Sequence, residues 1–337
     1  MTDCLKRIIL TKTWFNYNAV SIPASFPLLI FAFVISACRS FAQVELADPF
    51  VLKANGKYYL YGTNDRRPND GIPVLVSTDL QNWSSPHGTA EGYLALDKHN
   101  NYGSKGFWAP SVLYYNERYY MFYTANENIA VASSDSPAGP FTNGIRLNLQ
   151  DSGKAIDPHV FIDYNGKKYL YFVKLINGNR TFGAELSDDL HSVKPGTVVE
   201  CINATQPWET TSGTQWPVTE APSMIRHKNK YFLFYTANDF RSPAYNVGYA
   251  VADSPLGPFR KHNGNPIIKS SDEIPGTGGC DFLTDTAHEV IMFYHAHANK
   301  QSVTPRKTYY SLGKFVADSS GAITFQVSAK KLCLLKN

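Results

Sequence analysis

One arrangement of hydrophobic and polar positions recurs five times along the chain. Each copy begins with a small or acidic residue pair, usually followed by proline, and continues with an apolar run, a turn and a run rich in tyrosine and phenylalanine. The proline position, filled by Phe282 in the last copy, falls at residues 49, 110, 158, 222 and 282, so successive copies lie 61, 48, 64 and 60 residues apart. Repeats of this length indicate supersecondary units that stack or surround an axis.

Each copy predicts a β-hairpin followed by a third strand. Asn55-Gly56 separates the apolar run 50–53 from the aromatic run 58–61, and Asn165-Gly166 does the same in the third copy. An Asn-Gly pair between two such runs is a strong hairpin signal. A third apolar segment ending in a turn signal follows, as at residues 74–80. Each unit therefore contains at least three strands.

The second run of each copy is almost continuously apolar or aromatic, which predicts strands covered on both faces. Residues 43–337 show no convincing amphipathic helix. Five such units predict an all-β, single-domain fold, a five-bladed β-propeller in which the innermost strands line a central channel. A long β-sandwich would lack this repeat, and a β-helix would use a much shorter one.

The N-terminal segment predicts export. Residues 19–37 are apolar, contain Pro23 and Pro27, and follow several basic residues, which is a signal-peptide pattern more than a transmembrane helix. Cleavage after Ala42 would leave Gln43 first, whereas a lipoprotein signal would end before Cys38 and place a lipid anchor there. Either route takes the propeller, residues 43–337, to the periplasm, the cell surface or the medium of a bacterium.

The composition of the chain excludes some classes of partner and of stabilising bond. The net charge is +4, yet Lys and Arg are scattered without runs, so no nucleic-acid partner is expected. Aromatic residues make up 14% of the chain, enough to fill the wedges between blades and to leave a few for stacking on sugar rings. The propeller contains three cysteines, an odd number that favours buried free thiols over a disulfide framework; they are Cys201, Cys280 and Cys333.

Three copies carry a carboxylate where the innermost strand begins. Asp48 and Asp157 directly precede the proline, and Glu220 stands one residue earlier than they do. An aspartate before proline is a common turn residue. However, three acidic residues at the starts of apolar strands, where charge is costly, predict a shared catalytic site at one end of the channel. The shift of one residue should aim Glu220 differently, because side chains alternate along a strand.

These features resemble glycoside hydrolase family 43, exported five-bladed propellers that release arabinose or xylose units from plant polysaccharides. The resemblance covers nearly the whole of residues 43–337. The segments that carry it, in order, are Ala47-Asp48-Pro49-Phe50, residues 58–63, residues 77–83, Phe107-Trp108-Ala109-Pro110, Ile156-Asp157-Pro158-His159, Glu220-Ala221-Pro222 and Tyr294-His295-Ala296-His297.

The resemblance implies a role for each carboxylate. Asp48 would be the general base that activates water, Glu220 the general acid, and Asp157 the group that tunes the pKa of Glu220 and holds it in place. One carboxyl must stay protonated while another is ionised at the same pH, which requires different surroundings. Family members invert the anomeric centre, so the acid and the base must be far enough apart to admit a water molecule.

The resemblance also implies substrate contacts. Phe107 and Trp108 would form an apolar wall, and His295 and Arg306 would contact the sugar. Many members open the last blade with Gly-x-Gly-His, whose histidine often binds calcium, but Gly279 stands in that place. No cofactor is required on this interpretation, and calcium bound through an oxygen of Asp281 is the alternative to a role for Asp281 as a hydrogen-bonded turn residue.

The predicted activity is that of a monomeric α-L-arabinofuranosidase acting on an oligo- or polysaccharide, because the chain has no appended β-sandwich of the kind many xylosidase relatives carry. A β-xylosidase, an endo-arabinanase and a non-catalytic sugar-binding propeller are the alternatives. The three carboxylates disfavour the last of these. Related propellers that act on fructosides normally open with Asn-Asp-Pro-Asn-Gly, which this chain lacks. Residues 84–107 and 196–219 are the predicted rims of the pocket.

Overall fold

The computed structural model describes residues 42–86, 93–211, 213, 215–284, 290–317, 319 and 321–335. Within these ranges the chain forms five four-stranded antiparallel sheets, and its one helical element is the 3-10 turn Pro207–Thr210. No helix of the described part is long and apolar enough to cross a membrane. The expected signal segment, including Cys38, lies outside the described residues except for Ala42.

The five sheets are the blades of a β-propeller, as predicted. The first strands of neighbouring blades contact one another in a closed ring around the channel. The blades, from the channel outwards, are β1 (Ala47–Ala54), β2 (Lys57–Thr63), β3 (Gly71–Ser77) and β5 (Tyr93–Asp97); β6 (Trp108–Tyr115), β7 (Arg118–Ala125), β8 (Asn128–Ser134) and β9 (Thr142–Arg146); β10 (Ala155–Ile162), β11 (Lys168–Leu175), β12 (Asn179–Glu185) and β13 (Val199–Ile202); β14 (Thr219–His227), β15 (Lys230–Ala237), β16 (Asn246–Ala252) and β17 (Arg260–Lys261); and β18 (Gly278–Thr284), β19 (Val290–Ala296), β20 (Lys307–Ala317) and β21 (Ile323–Leu332).

Segments from both ends of the propeller close the ring. The short strand β22 (Leu334–Leu335) pairs in parallel with β4 (Asn82–Trp83), which lies between the third and fourth strands of the first blade. Val44 donates its backbone N–H to the carbonyl of Cys333, and Thr308 donates its N–H to Val44. The first and last blades are thus joined by backbone hydrogen bonds, without one blade being shared between the two ends.

Every innermost strand contains the same β-bulge near its start, and the bulge residue has a positive φ, between 44° and 55°. The five bulge residues are Asp48, Ala109, Asp157, Ala221 and Gly279. This conformation is costly for residues other than glycine, so neighbouring groups must hold it. In three cases a threonine hydroxyl of the preceding blade accepts the N–H of the bulge residue, at 2.9–3.0 Å; they are Thr63, Thr124 and Thr236.

The bulges correct the predicted register of the fifth copy. Gly278 pairs with His295 and Asp281 with Phe293, so Gly279 is the counterpart of Asp48. Cys280 therefore fills the proline position, two residues before the predicted Phe282. Without a proline, the copy could be aligned only by alternation, and alternation does not distinguish a shift of two residues.

The core lies between the sheets. The second strands are almost wholly buried, as in β11, where only the last residue is partly exposed. Cys280 and Cys333 are buried free thiols as predicted, whereas Cys201 is free and partly exposed.

Candidate active site

The bulges bring the three predicted carboxylates to one end of the channel. Asp48 and Asp157 are bulge residues of the first and third blades and line one axial pocket. In the fourth blade Ala221 takes the bulge position, so Glu220 precedes the bulge by one residue. The negative charges of Glu220 and Asp48 both raise the pKa of Asp157, which shows that the three groups share one electrostatic environment.

Asp48 is held among groups that suit an ionised carboxylate. Thr63 donates its hydroxyl to Oδ2 at 2.7 Å, and Nη1 of Arg306 lies 3.7 Å from Oδ1. The side chain keeps 17% of its surface exposed. A carboxylate with a hydroxyl donor, a nearby guanidinium and access to solvent can accept a proton from water.

The sequence predicts a sugar contact for His295, whose side chain is fully buried behind Asp48. Its Nδ1 accepts the backbone N–H of Asp48 at 3.0 Å. Burial, followed by the charge of Arg306, lowers its pKa well below the usual value, so the ring is neutral. His295 thus supports the strained backbone of Asp48, at the place where three other blades have threonine.

Arg306, for which the sequence predicts a sugar contact, lies beside Asp48, and Asp65 fixes its orientation. Asp65 accepts two hydrogen bonds from the guanidinium, at 3.1 Å from Nε and 2.8 Å from Nη2, and a third from the backbone N–H of Arg306 at 2.8 Å. The guanidinium also lies 5.4 Å from the ring centroid of Phe240. Such bidentate pairing restricts the arginine to one geometry and directs Nη1 towards Asp48.

Glu220 occupies a buried and different environment. Tyr245 donates its hydroxyl to Oε1 at 2.8 Å, and Asn179 donates Nδ2 to Oε2 at 2.6 Å. Burial raises its pKa to about 7, although both hydrogen bonds act in the opposite direction. A carboxyl with this pKa is protonated for part of the time near neutral pH and can serve as a general acid.

Asp157 interacts electrostatically with the other two carboxylates and bonds to the backbone next to Glu220. Burial, and then the charges of Glu220 and Asp48, raise its pKa well above the usual range. Its Oδ2 accepts the N–H of Ala221 at 3.1 Å. The third blade has Val173 where others have threonine, so Asp157 itself holds the bulge next to Glu220. Through this hydrogen bond and its charge, Asp157 can hold Glu220 in position and shift the pKa of Glu220.

The glycine at position 279 is required by space as well as by its φ of 54°. A Cβ there would lie 2.6 Å from Nδ1 of His295 and 2.7 Å from Oδ1 of Asp48. A histidine at this position would displace the base and its support. The fifth blade therefore contributes open space to the site.

Trp108 and Phe107 have different environments. Trp108 is partly buried and stands one residue before the bulge of the second blade, in the position equivalent to Glu220. Phe107 is fully buried and stacks on Tyr123 with centroids 5.9 Å apart. The prediction that Phe107 lines the sugar pocket is therefore corrected, because its ring belongs to the core.

His159 and Asp281 line the channel beside the carboxylates, and Asp281 lies within β18 instead of in the predicted turn. Nδ1 of His159 lies 3.9 Å from Oδ1 of Asp281, whose carboxylate accepts hydrogen bonds from Val51 and Ser223 at 3.3 Å. Burial raises the pKa of Asp281 to about 7 and lowers that of His159 to about 4. In the described ranges no three His, Cys, Asp or Glu side chains are grouped to hold a metal, and calcium prefers six to eight oxygen ligands.

A comparison of the whole sequence with known protein families agrees with the active site that the three carboxylates form. The family described as Glycosyl hydrolases family 43 matches residues 39–318. The chain belongs to glycosyl hydrolase family 43. The match covers all five blades except the outer part of the last one.

The relatives of this chain within family 43 are named after several different substrates. A solved structure of an endo-1,4-beta-xylanase from Bacteroides thetaiotaomicron is 34% identical, has a TM-score of 0.78, and covers 88% of this chain and 99% of its own. An extracellular endo-alpha-(1->5)-L-arabinanase from Bacillus subtilis is 26% identical over 88% of this chain and 94% of its own. An arabinoxylan arabinofuranohydrolase from Paenibacillus polymyxa is 26% identical over 82% of this chain, which spans only 49% of that protein.

Several residues of this family 43 site escaped the sequence prediction. Asp65, Asn179 and Tyr245 lie in loops or at a strand end, outside the repeated motif, so nothing in the pattern singled them out. His295 did carry a signal. When the second strands of the blades are aligned, His295 falls at the position equivalent to Thr63, Thr124 and Thr236, which indicates that it supports the bulge.

Proposed function

We propose that the protein is an inverting glycosidase that releases L-arabinofuranosyl units from plant cell-wall arabinan or arabinoxylan. The observation that carries the proposal is the pair of unlike carboxyl environments at one end of the channel. Asp48 is partly exposed beside a guanidinium, whereas Glu220 is buried with its pKa raised to about 7. Such a difference separates a base from an acid at one pH.

In this mechanism Asp48 takes a proton from a water molecule as the water oxygen bonds to the anomeric carbon. The glycosidic C–O bond breaks in the same step, and Glu220 gives its proton to the departing oxygen. Solvent then restores both protonation states. Asp157 keeps Glu220 in place through the N–H of Ala221, and its own raised pKa limits the negative charge next to the acid. Arg306 and Trp108 are the proposed sugar contacts.

The names of the relatives support a pentose substrate, and two of the three name arabinose-containing polymers. The 34% identical structure is named as an endo-1,4-beta-xylanase, which favours a second candidate, hydrolysis of β-xylosidic bonds. A sugar-binding protein without catalysis is disfavoured, because Tyr245 and Asn179 hold a buried acid that binding alone would not need. Export, action as a monomer and independence of any cofactor belong to the same proposal.

The test is a panel of substrates. Aryl α-L-arabinofuranosides, aryl β-D-xylosides and the matching oligosaccharides are assayed with the wild type, Asp48→Asn and Asp135→Asn. Asp135 is a matched control because its side chain is 87% exposed and pairs only at the surface, with Arg118. We expect the highest kcat/KM on arabinofuranosides, a loss of about 10²–10⁴ in kcat for Asp48→Asn, and wild-type rates for Asp135→Asn.

Two outcomes would change the proposal. A preference for xylosides would replace it with the second candidate. An Asp48→Asn variant with near wild-type kcat on every substrate would remove Asp48 from the mechanism.

A further inference from the structure

The side-chain amide of Asn179 lies between Glu220 and a tryptophan of the rim. Nε1 of Trp216 donates to Oδ1 of Asn179 at 2.8 Å, and Nδ2 of Asn179 donates to Oε2 of Glu220 at 2.6 Å. Trp216 is 45% exposed, so the chain of contacts leads from the surface to a buried carboxyl.

The chemistry of the three groups allows one orientation of the amide. An indole nitrogen can only donate a hydrogen bond, so it must face the amide oxygen. The NH2 group is then directed at Glu220. We propose that Trp216 is a positioning residue of the reaction, which fixes the amide of Asn179 so that its NH2 group, and not its oxygen, faces Glu220.

The backbone of Asn179 is anchored independently of the indole. Its N–H donates to the carbonyl of Pro217 at 2.9 Å, and its carbonyl accepts the hydroxyl of Thr219 at 3.3 Å. Removing the indole N–H should therefore free the amide to rotate without moving the strand end that carries it.

The orientation of the amide decides which form of Glu220 is favoured. An NH2 group stabilises the ionised carboxylate, whereas an amide oxygen in the same place could bond only to the protonated acid. The other ionisable or charged groups that act on Glu220 are Tyr245, which donates to Oε1, and Asp48, Asp157 and Arg306 across the site. Losing the N–H of Trp216 removes the constraint on the amide of Asn179 and should therefore let Glu220 keep its proton to higher pH.

The inference rests on the proposed role of Glu220 as the general acid, and Trp216→Phe tests it. The substitution removes the N–H and keeps an aromatic ring. Trp208→Phe is the matched control, because the Trp208 indole also donates to a side-chain amide, Oε1 of Gln206 at 2.7 Å, but packs on Tyr235, whose hydroxyl donates to Glu209 and not to Glu220. The measurements are the alkaline limb of kcat/KM and direct titration of Glu220 by carboxyl ¹³C NMR, with Glu220→Gln identifying its signal.

We expect Trp216→Phe to move both the alkaline limb and the Glu220 titration upwards by about one pH unit, the size of one hydrogen bond to a charged group. Trp208→Phe should leave both in place. Unchanged curves for Trp216→Phe, or a downward shift, would overturn the inference.

A second variant tests the same contact from the side of the amide. Asn179→Leu removes the donor itself and should raise the titration as well, and adding Trp216→Phe to it should cause no further shift, because the two residues act in series. An additive shift would contradict the proposal. If the NMR titration moves while the kinetic limb stays, the positioning role stands and the acid role of Glu220 fails.

Discussion

Replacing Glu220 by glutamine should stabilise the folded protein at alkaline pH. Glu220 is buried, and its pKa is raised from 4.5 to about 7. A folded state that binds the proton more tightly than the unfolded chain gains stability at low pH and loses it as the pH rises through the folded pKa. Glutamine is neutral at every pH and keeps the shape of the carboxyl, so the variant escapes this loss.

The magnitude follows from the shift in pKa. A rise from 4.5 to about 7 corresponds to roughly 3 kcal/mol of folding free energy in all. Roughly a quarter of it is already lost at pH 5, where the unfolded chain is largely ionised, which leaves about 2–3 kcal/mol between pH 5 and pH 8.5. For a propeller of about 295 residues this amounts to about 4 °C in Tm.

The assay is scanning calorimetry of both proteins at pH 5 and pH 8.5. The difference in Tm, variant minus wild type, should be about 4 °C more positive at pH 8.5 than at pH 5. An equal difference at both pH values, or a larger one at pH 5, would show that Glu220 does not titrate in the folded state as described.

Three further predictions concern the acid, the metal and the rim. Glu220→Gln should lose far more activity on natural glycosides with poor leaving groups than on activated aryl glycosides, and equal losses would indicate a structural role. EDTA should leave activity and Tm unchanged, whereas a drop in Tm of several degrees that calcium reverses would reveal a metal. Glu209→Gln should destabilise the fold by about 3–5 kcal/mol at both pH values, checked by the same calorimetry, because Lys261 would lose a buried partner at 2.6 Å; an unchanged Tm would refute this.

The fold was predictable because its signals are local. Turn pairs such as Asn55-Gly56, prolines at strand starts and continuous apolar runs each specify a hairpin without knowledge of the rest of the chain. The predicted register of the fifth copy was wrong, because the proline that marks the strand start is missing there. There the register depends on the bulge at Gly279, which the side-chain pattern does not reveal.

Only those site residues that stand at repeated positions of the sequence could be predicted. Asp48, Asp157 and Glu220 stand at repeated positions, so the topology alone brings them together. Asp65 and Asn179 reach the site through loops and blade edges whose paths no local pattern encodes. Phe107 was misplaced for a related reason, because a residue next to a pocket residue in sequence can point into the core.

The most direct test of the account is the configuration of the first sugar released, followed by ¹H NMR during hydrolysis of an α-L-arabinofuranoside. If Asp48 activates a water molecule on the face opposite to the bond that Glu220 protonates, the β anomer must form first, before mutarotation mixes the signals. We therefore predict an initial β-L-arabinofuranose signal. An initial α signal would mean retention through a covalent intermediate and would contradict the assignment of Asp48 as base and Glu220 as acid.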